Sequence, residues 1–374
     1  MLTVENSQDN IIKKAKRYSS IKYGLAIAET AYLILLLALF QSLGLSNILA
    51  KDIHQLMVND YFAVLFYILI IYIGYYILNF PLNFYHSFLL EHEFLLSRQN
   101  IKDWFFDQLK GGIIFYIISI IGLEVFYFIL RHQPRDWWWI LSLFWIFSSL
   151  ILARLTPVII IPLFFKYKKL SDESLRQRII SLALKMKIKI LDVFEIDLSK
   201  KTAKVNAGLV GWGATKRVIL ADALREKYSS DEIEVILAHE FAHYKLQHLI
   251  KLILINVLVT ILCFYLIAET NVWFLRFFSL SSLSDIASLP VVFLYLILFA
   301  VFMQPLENIF SRRFEKNADL LALKTTAKIE VFISTMDKLA VQNLADRNPR
   351  PIIKLFFFDH PPIDERISYA REPV

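Results

Sequence analysis

The chain has 374 residues, 57% hydrophobic and 15% aromatic, with a mean hydropathy of +0.51 and a formal charge of +7. That apolar excess excludes a disordered chain and an ordinary water-soluble domain, both of which carry fewer apolar residues. One cysteine, Cys263, excludes an intrachain disulfide framework.

In chain order, the first twenty residues are polar. The apolar run after them is too long for a signal-peptide core and lacks a small-residue cleavage site. It reads as a retained first helix at about 23–45, and five more apolar runs follow at about 61–82, 112–130, 137–155, 249–268 and 289–310. Each is close to the roughly 20 apolar residues that carry a helix across a bilayer. The chain therefore reads as a multi-pass integral membrane protein, with the lipid bilayer as its first partner. Its positive charge reads as topology, and no nucleic-acid partner is expected. In the short loops and tails, Lys13, Lys14, Lys16, Arg17, Lys22, Arg98, Lys102 and Lys110 oppose Lys51, Arg131, Arg135 and Arg276. The positive-inside rule then assigns both termini to the cytoplasm, at the inner membrane of a bacterium or the endoplasmic reticulum of a eukaryote.

Two polar blocks interrupt the spans, one at 166–247 and the other at 311–374. Pro157 and Pro162 in "RLTPVIIIPLFFKYKKL" break the helix after the fourth span and turn it toward the first block. Ser171 or Asp172 can cap a helix through "ESLRQRIISLALKMKI". "VFEIDL" and "RVILAD" have strand character and predict a small sheet. The segment between them, "KKTAKVNAGLVGWGATK", is rich in turn residues. Ser229, Ser230 and Asp231 then form an N-cap cluster. No Gly or Pro follows until about residue 268, so an unbroken helix here would be on the order of 55 Å long.

That helix holds "ILAHEFAHYKLQH" in its polar first half. His239 and His243 lie one turn apart on one face, where both imidazoles can reach the same ion. Glu240 is rotated about 100° from His239, which suits a base acting on an ion-bound water and not a ligand. Zinc needs a third protein ligand. The sixth span returns the chain to the same side, where "NIFSRRFEKNADLLALK" carries Glu315 and Asp319 one turn apart. Glu315 can complete the ligand set, and Asp319 can accept the free N–H of a ligating histidine. One zinc ion per chain is expected.

The stretches "NAGLVGWGATKRVILAD", "HEFAHYKLQH", "SRRFEKNADLLAL" and "DHPPIDERI" together resemble the M48 zinc metalloproteases, and most closely the type-1 CAAX prenyl protease branch. The likeness runs from "NFPLNFYHSFLLEHEF", at about residue 79, to the C-terminus. It implies a mainly α integral membrane protein with about six spans and a cytoplasmic zincin-like α+β metalloprotease domain containing a small sheet. It also implies that the spans enclose a hollow chamber capped by the protease domain. The division would be 1–165 for four spans and 166–374 for the peptidase domain with the last two. The resemblance gives His239, His243 and Glu315 as zinc ligands, Glu240 as catalytic base and Asp319 as their support. It places Asn206 near the substrate backbone, and His360 and Arg366 beside the transition state. It implies endopeptidase action at the cytoplasmic membrane face on a peptide or protein substrate, with or without a prenylated C-terminus. An HtpX-like quality-control protease would share every catalytic residue, but the four spans before the protease block favour the prenyl protease branch. A transporter or scaffold with a vestigial metal site would have lost a ligand or Glu240, and neither is lost. Two departures stand out: family members often have seven spans, and "LLSRQN" stands where a "GFN"-like element is expected.

Overall fold

The computed structural model describes residues 2–211 and 216–372. Residues 212–215, inside the glycine-rich motif, and the terminal residues 1, 373 and 374 lie outside the described residues. Helix α1 spans Leu2–Ser42, α2 Leu45–Leu56, α3 Asp60–Phe84, α4 Leu90–Glu93, α5 Ile101–His132 and α6 Trp137–Leu155. Among the described residues, six segments are long and apolar enough to cross a membrane: Asn10–Ser42, Asp60–Glu93, Ile101–His132, Trp137–Leu163, His248–Phe277 and Ile286–Thr326. Five of the expected spans fall inside these bounds. The first ends earlier than expected, because Gly44 takes a left-handed conformation (φ +71°) and stops α1.

Local chemistry sets several helix ends. Asn59 caps α3 by accepting from the Tyr61 N–H, and Asn100 caps α5 by accepting from the Asp103 N–H. After α6, a π turn at Thr156–Ile160 and a 3₁₀ turn at Ile161–Leu163 carry Pro157 and Pro162, as the sequence predicts. Asp172, and not Ser171, caps α7 (Glu173–Lys185) by accepting from the Leu175 N–H.

A four-stranded sheet follows, built from β1 (Tyr167–Lys169), β2 (Val193–Ile196), β3 (Ala207–Val210) and β4 (Arg217–Ala221) in the order β1-β2-β4-β3. The two expected strands, β2 and β4, pair in parallel; the flanking pairs are antiparallel. β3 lies in the segment expected to be turns. It is four residues long, includes Gly208 and has no clear inside–outside alternation, so its own sequence carries little strand signal. Pairing with β4 makes it a strand, and its other edge is the rim of the sheet.

Helices α8 (Asp222–Lys227), α9 (Ser230–Lys245), α10 (His248–Phe277), α11 (Leu289–Thr326), α12 (Ile329–Gln342), α13 (Pro351–Phe357) and α14 (Ile363–Arg371) complete the chain. Ser229 and Glu232 form a reciprocal capping box at the start of α9. The stretch from 231 to about 268, which would form one long helix if unbroken, is divided in two. The chain leaves α9 at Leu246, and Gln247 adopts a left-handed conformation (φ 56°) before α10 begins. The polar domain and the membrane span therefore have separate helix axes.

The core of the polar domain joins β2 and β4 to α7, α8, α9 and α11. A second core unites α2, α3, α5, α6, α10 and α11 through residues such as Tyr67, Tyr127, Leu141, Phe264 and Val292. In α3, α5, α6, α10 and α11 these buried residues cluster at the end away from the sheet; α1 contributes none, and its buried Ala15 and Tyr18 pack with Leu90, Phe94 and Leu344. Between that end and the polar domain the spans leave most of their side chains unburied.

Candidate metal centre

The centre is built where α9 and α11 pack together. Ala238 and Ala242 on α9, and Ala318 and Ala322 on α11, are all fully buried at that junction. Methyl-sized side chains let two helix axes approach closely. Each sits in sequence next to, or near, a polar residue of the centre, so close packing brings those residues together.

The Nε2 atoms of His239 and His243 lie 3.0 Å apart. His239 Nε2 is 3.1 Å from Glu315 Oε2, and His243 Nε2 is 3.2 Å from Glu315 Oε1. Ligand atoms about 2.0–2.2 Å from a tetrahedral ion stand roughly 3.3 Å from one another, so the triangle has a suitable size. Its chemistry fits as well. Asp319 Oδ1 accepts a 2.8 Å hydrogen bond from His239 Nδ1, which leaves a lone pair on Nε2. His243 Nδ1 lies 3.0 Å from His248 Nδ1, and a proton there likewise leaves the Nε2 lone pair facing inward. Glu315 Oε2 is buried without a hydrogen-bond donor among the described residues. Three electron-pair donors thus converge on one point, an arrangement that a cation satisfies.

Around the triangle, each polar group is tied down. Asp319 is fully buried, and Arg366 from α14 binds it twice: Nε donates to Oδ2 at 2.8 Å and Nη2 to Oδ1 at 2.6 Å. Such paired charge-assisted bonds are the strong, geometry-specific kind. Arg366 therefore reaches the centre through Asp319, with its Nη2 3.4 Å from His239 Nδ1. Burial disfavours a charged His239, but the Asp319 and Glu315 carboxylates outweigh it and raise its pKa to about 9, so positive charge at Nε2 is favoured, as a proton or as a bound cation that replaces it.

Glu240 projects into the same surroundings. Burial raises its carboxyl pKa, and His239, His243, Glu315 and His360 all act on its charge. His360 Nε2 is 3.2 Å from Glu315 Oε2, and Nδ1 is 2.9 Å from Asp359 Oδ1. Burial opposes charge on this ring, yet Asp359 and Glu315 together raise its pKa. Asn206 immediately precedes the edge strand β3, which packs beside α9; its carbonyl accepts from the Ala221 N–H and its side chain is exposed.

Three residues that the sequence reading does not single out shape the site. Asn308 Nδ2 donates to the carbonyls of Leu355 and Phe356 at 3.1 and 2.9 Å. One turn later, Arg312 Nη1 donates to those of Lys354 and Phe358 at 3.0 and 2.6 Å. Together they satisfy the carbonyl end of α13 and fix the loop that presents His360. Their i, i+4 spacing was visible, but the carbonyls they meet are set by docking of α13. His248 is the third. On a straight helix the five-residue step from His243 points it to another side, and only the break at Gln247 turns it back.

Comparison with known proteins agrees with this geometry. The model of Peptidase family M48 matches residues 169–374, and a model described as CAAX prenyl protease N-terminal, five membrane helices, matches residues 4–166. An uncharacterized metalloprotease of Bacillus subtilis (strain 168), YhfN, is 31% identical over 284 residues, covering 75% of this chain and 67% of that protein. CAAX prenyl protease 1 of Saccharomyces cerevisiae is 30% identical over 311 residues, covering 78% of this chain and 68% of that protein. The crystal structure of S. mikatae Ste24p superposes with a TM-score of 0.87 at 25% identity, covering 97% of this chain and 89% of that one.

Proposed function

The chain belongs to peptidase family M48 and is a multi-pass membrane metalloprotease, and we propose that it is a zinc endopeptidase acting at the cytoplasmic membrane face. The observation that carries this reading is the convergence of His239, His243 and Glu315 beside Glu240. A zinc ion held by the first three would polarise the scissile carbonyl and bring the pKa of a water bound to it from 15.7 toward roughly 7.

The rest of the chemistry belongs to the chain. Glu240 accepts the proton of the attacking water and delivers it to the leaving amine; its raised pKa suits both halves of that task. His360, whose charged form Asp359 and Glu315 favour, donates to the oxyanion that develops on the substrate carbonyl. Arg366 holds Asp319, and Asp319 holds the His239 tautomer, so this arm orients a ligand and adds positive charge behind it. The substrate lies extended along the open edge of β3, with Asn206 at its start to bind the peptide backbone. The named CAAX prenyl protease relatives favour a peptide with a prenylated C-terminus, delivered from the bilayer.

The deciding experiment compares wild type with Glu240→Gln. Gln keeps the shape but cannot take the proton, so peptide hydrolysis should fall by roughly 10²- to 10⁴-fold or more while zinc content stays at about one per chain. Run on matched prenylated and unprenylated peptides in sealed vesicles of known sidedness, cleavage should favour the prenylated peptide and occur from the cytoplasmic face. Equal hydrolysis by wild type and Glu240→Gln would overturn the catalytic assignment.

A further inference from the structure

We propose that His248 is a positioning residue for the metal centre: its Nδ1 accepts the Nδ1–H of His243 and thereby aims the Nε2 lone pair of His243 at the ion. The proposal rests on the metalloprotease reading above and extends it to a residue outside the zinc-binding triangle.

The geometry is specific. His248 is fully buried, its Nδ1 is 3.0 Å from that of His243, and its ring stacks on Phe314 with centroids 4.7 Å apart. Of two imidazole nitrogens in contact, one must carry the proton. His243 Nε2 faces Glu315 and His239, so for metal binding the proton sits on His243 Nδ1 and His248 Nδ1 accepts it. His248 then carries its own proton on Nε2, and that nitrogen is buried with no partner among the described residues. A ring serving only to pack against Phe314 would not need a nitrogen left unpaired; phenylalanine would stack as well. The acceptor on the other nitrogen gives that side chain a purpose.

The two ligating histidines are thus oriented differently. His239 leans on a carboxylate that is itself paired with Arg366, and His243 leans on a neutral ring. His248 is also the first residue of the membrane helix α10. The left-handed Gln247 separates α9 from α10 and folds the start of the span back onto the centre. Orientation of one metal ligand is therefore coupled to the seating of a membrane helix.

The test uses purified full-length protein and zinc competition against a chelator of known affinity. His248→Phe keeps the ring and its stacking but removes the acceptor, and it should weaken zinc binding by roughly 10- to 100-fold. His248→Asn places a carbonyl oxygen where Nδ1 stood, and it should restore affinity to within about 3-fold of wild type, a fraction of that second-shell loss. Wild-type affinity in His248→Phe overturns the proposal, as does an Asn variant that loses as much as Phe. Failure of the wild-type protein to bind zinc would instead strike the metalloprotease reading, so the two failures are distinguishable.

Discussion

At the metal centre, buried charges meet oriented partners, whereas the interior of the far end of the membrane bundle is held mainly by apolar side chains and a few hydroxyls. Its one ion pair between helices among the described residues, Asp60 to Arg131, sits at the exposed rim. Asp319 receives two bonds from Arg366 and one from His239. At the far end, Ser46 Oγ joins Tyr67 and the carbonyl of Ala287 in surroundings of Tyr127, Leu141 and Phe264. The difference follows from what each region must do. Directed bonds hold ligand atoms to within fractions of an ångström, which chemistry requires. Apolar contacts hold helices together without fixing any one atom, which suffices for a membrane anchor. Between these regions the spans leave most side chains unburied.

This contrast can be broken most severely at Glu315. Glu315→Ala removes one corner of the triangle, and zinc measured by mass spectrometry or atomic absorption should drop from about one per chain to near zero, with hydrolysis lost. Retention of stoichiometric zinc would remove Glu315 from the ligand set.

A milder cut frees the His360 loop without touching the triangle. The double variant Asn308→Ala, Arg312→Ala leaves the carbonyl end of α13 without its donors. We expect kcat to fall by roughly 10- to 100-fold, with zinc retained, because a displaced group costs transition-state contacts more than ground-state binding. A pure rise in KM would point to substrate binding instead.

The polar domain also stores stability in its ion pairs. The hydrogen bond from Arg176, opposed by burial, holds the Asp192 carboxyl at about 2 instead of 3.8. A folded pKa below the unfolded one adds stability above about pH 4 that is lost as pH falls through about 2. Asp192→Asn should therefore cost about 2 kcal/mol at neutral pH and make acid destabilisation between pH 4 and 2 shallower. Parallel acid profiles of the two proteins would show that this pair contributes nothing.

The smallest effect belongs to the far end of the bundle. Ser46→Ala removes a hydrogen-bonding hydroxyl between helices, a change worth about 0.6 kcal/mol in membrane proteins, and zinc content and kcat should not move. A fall in kcat would show that the far end does constrain the centre and would erase the distinction between the two regions.

Much of the site could be read locally. The four-residue step from His239 to His243 and the one from Glu315 to Asp319 each place two side chains on one helical face. Span counting then placed the two pairs on the same side. Asn206, His360 and Arg366 were legible only through resemblance to the family. Their structural setting depends on the β3–β4 pairing and on docking of α13 and α14 against α11. β3 itself was hidden because four residues containing a glycine have too little pattern to declare a strand.

By itself, then, the sequence determined the membrane spans, the helix caps and the chemical pairs, because each depends on residues within a few turns of one another. Only the tertiary structure decided which partners those pairs would meet. A straight helix from 231 to 268 would have carried His248 away from His243; one left-handed residue, Gln247, reverses that. No local pattern announces the break, because Gln is not a residue that ordinarily favours that conformation. The break accompanies the packing of α9 against α11 and of α10 against α6, and long-range packing of that kind is not encoded in any short window of residues.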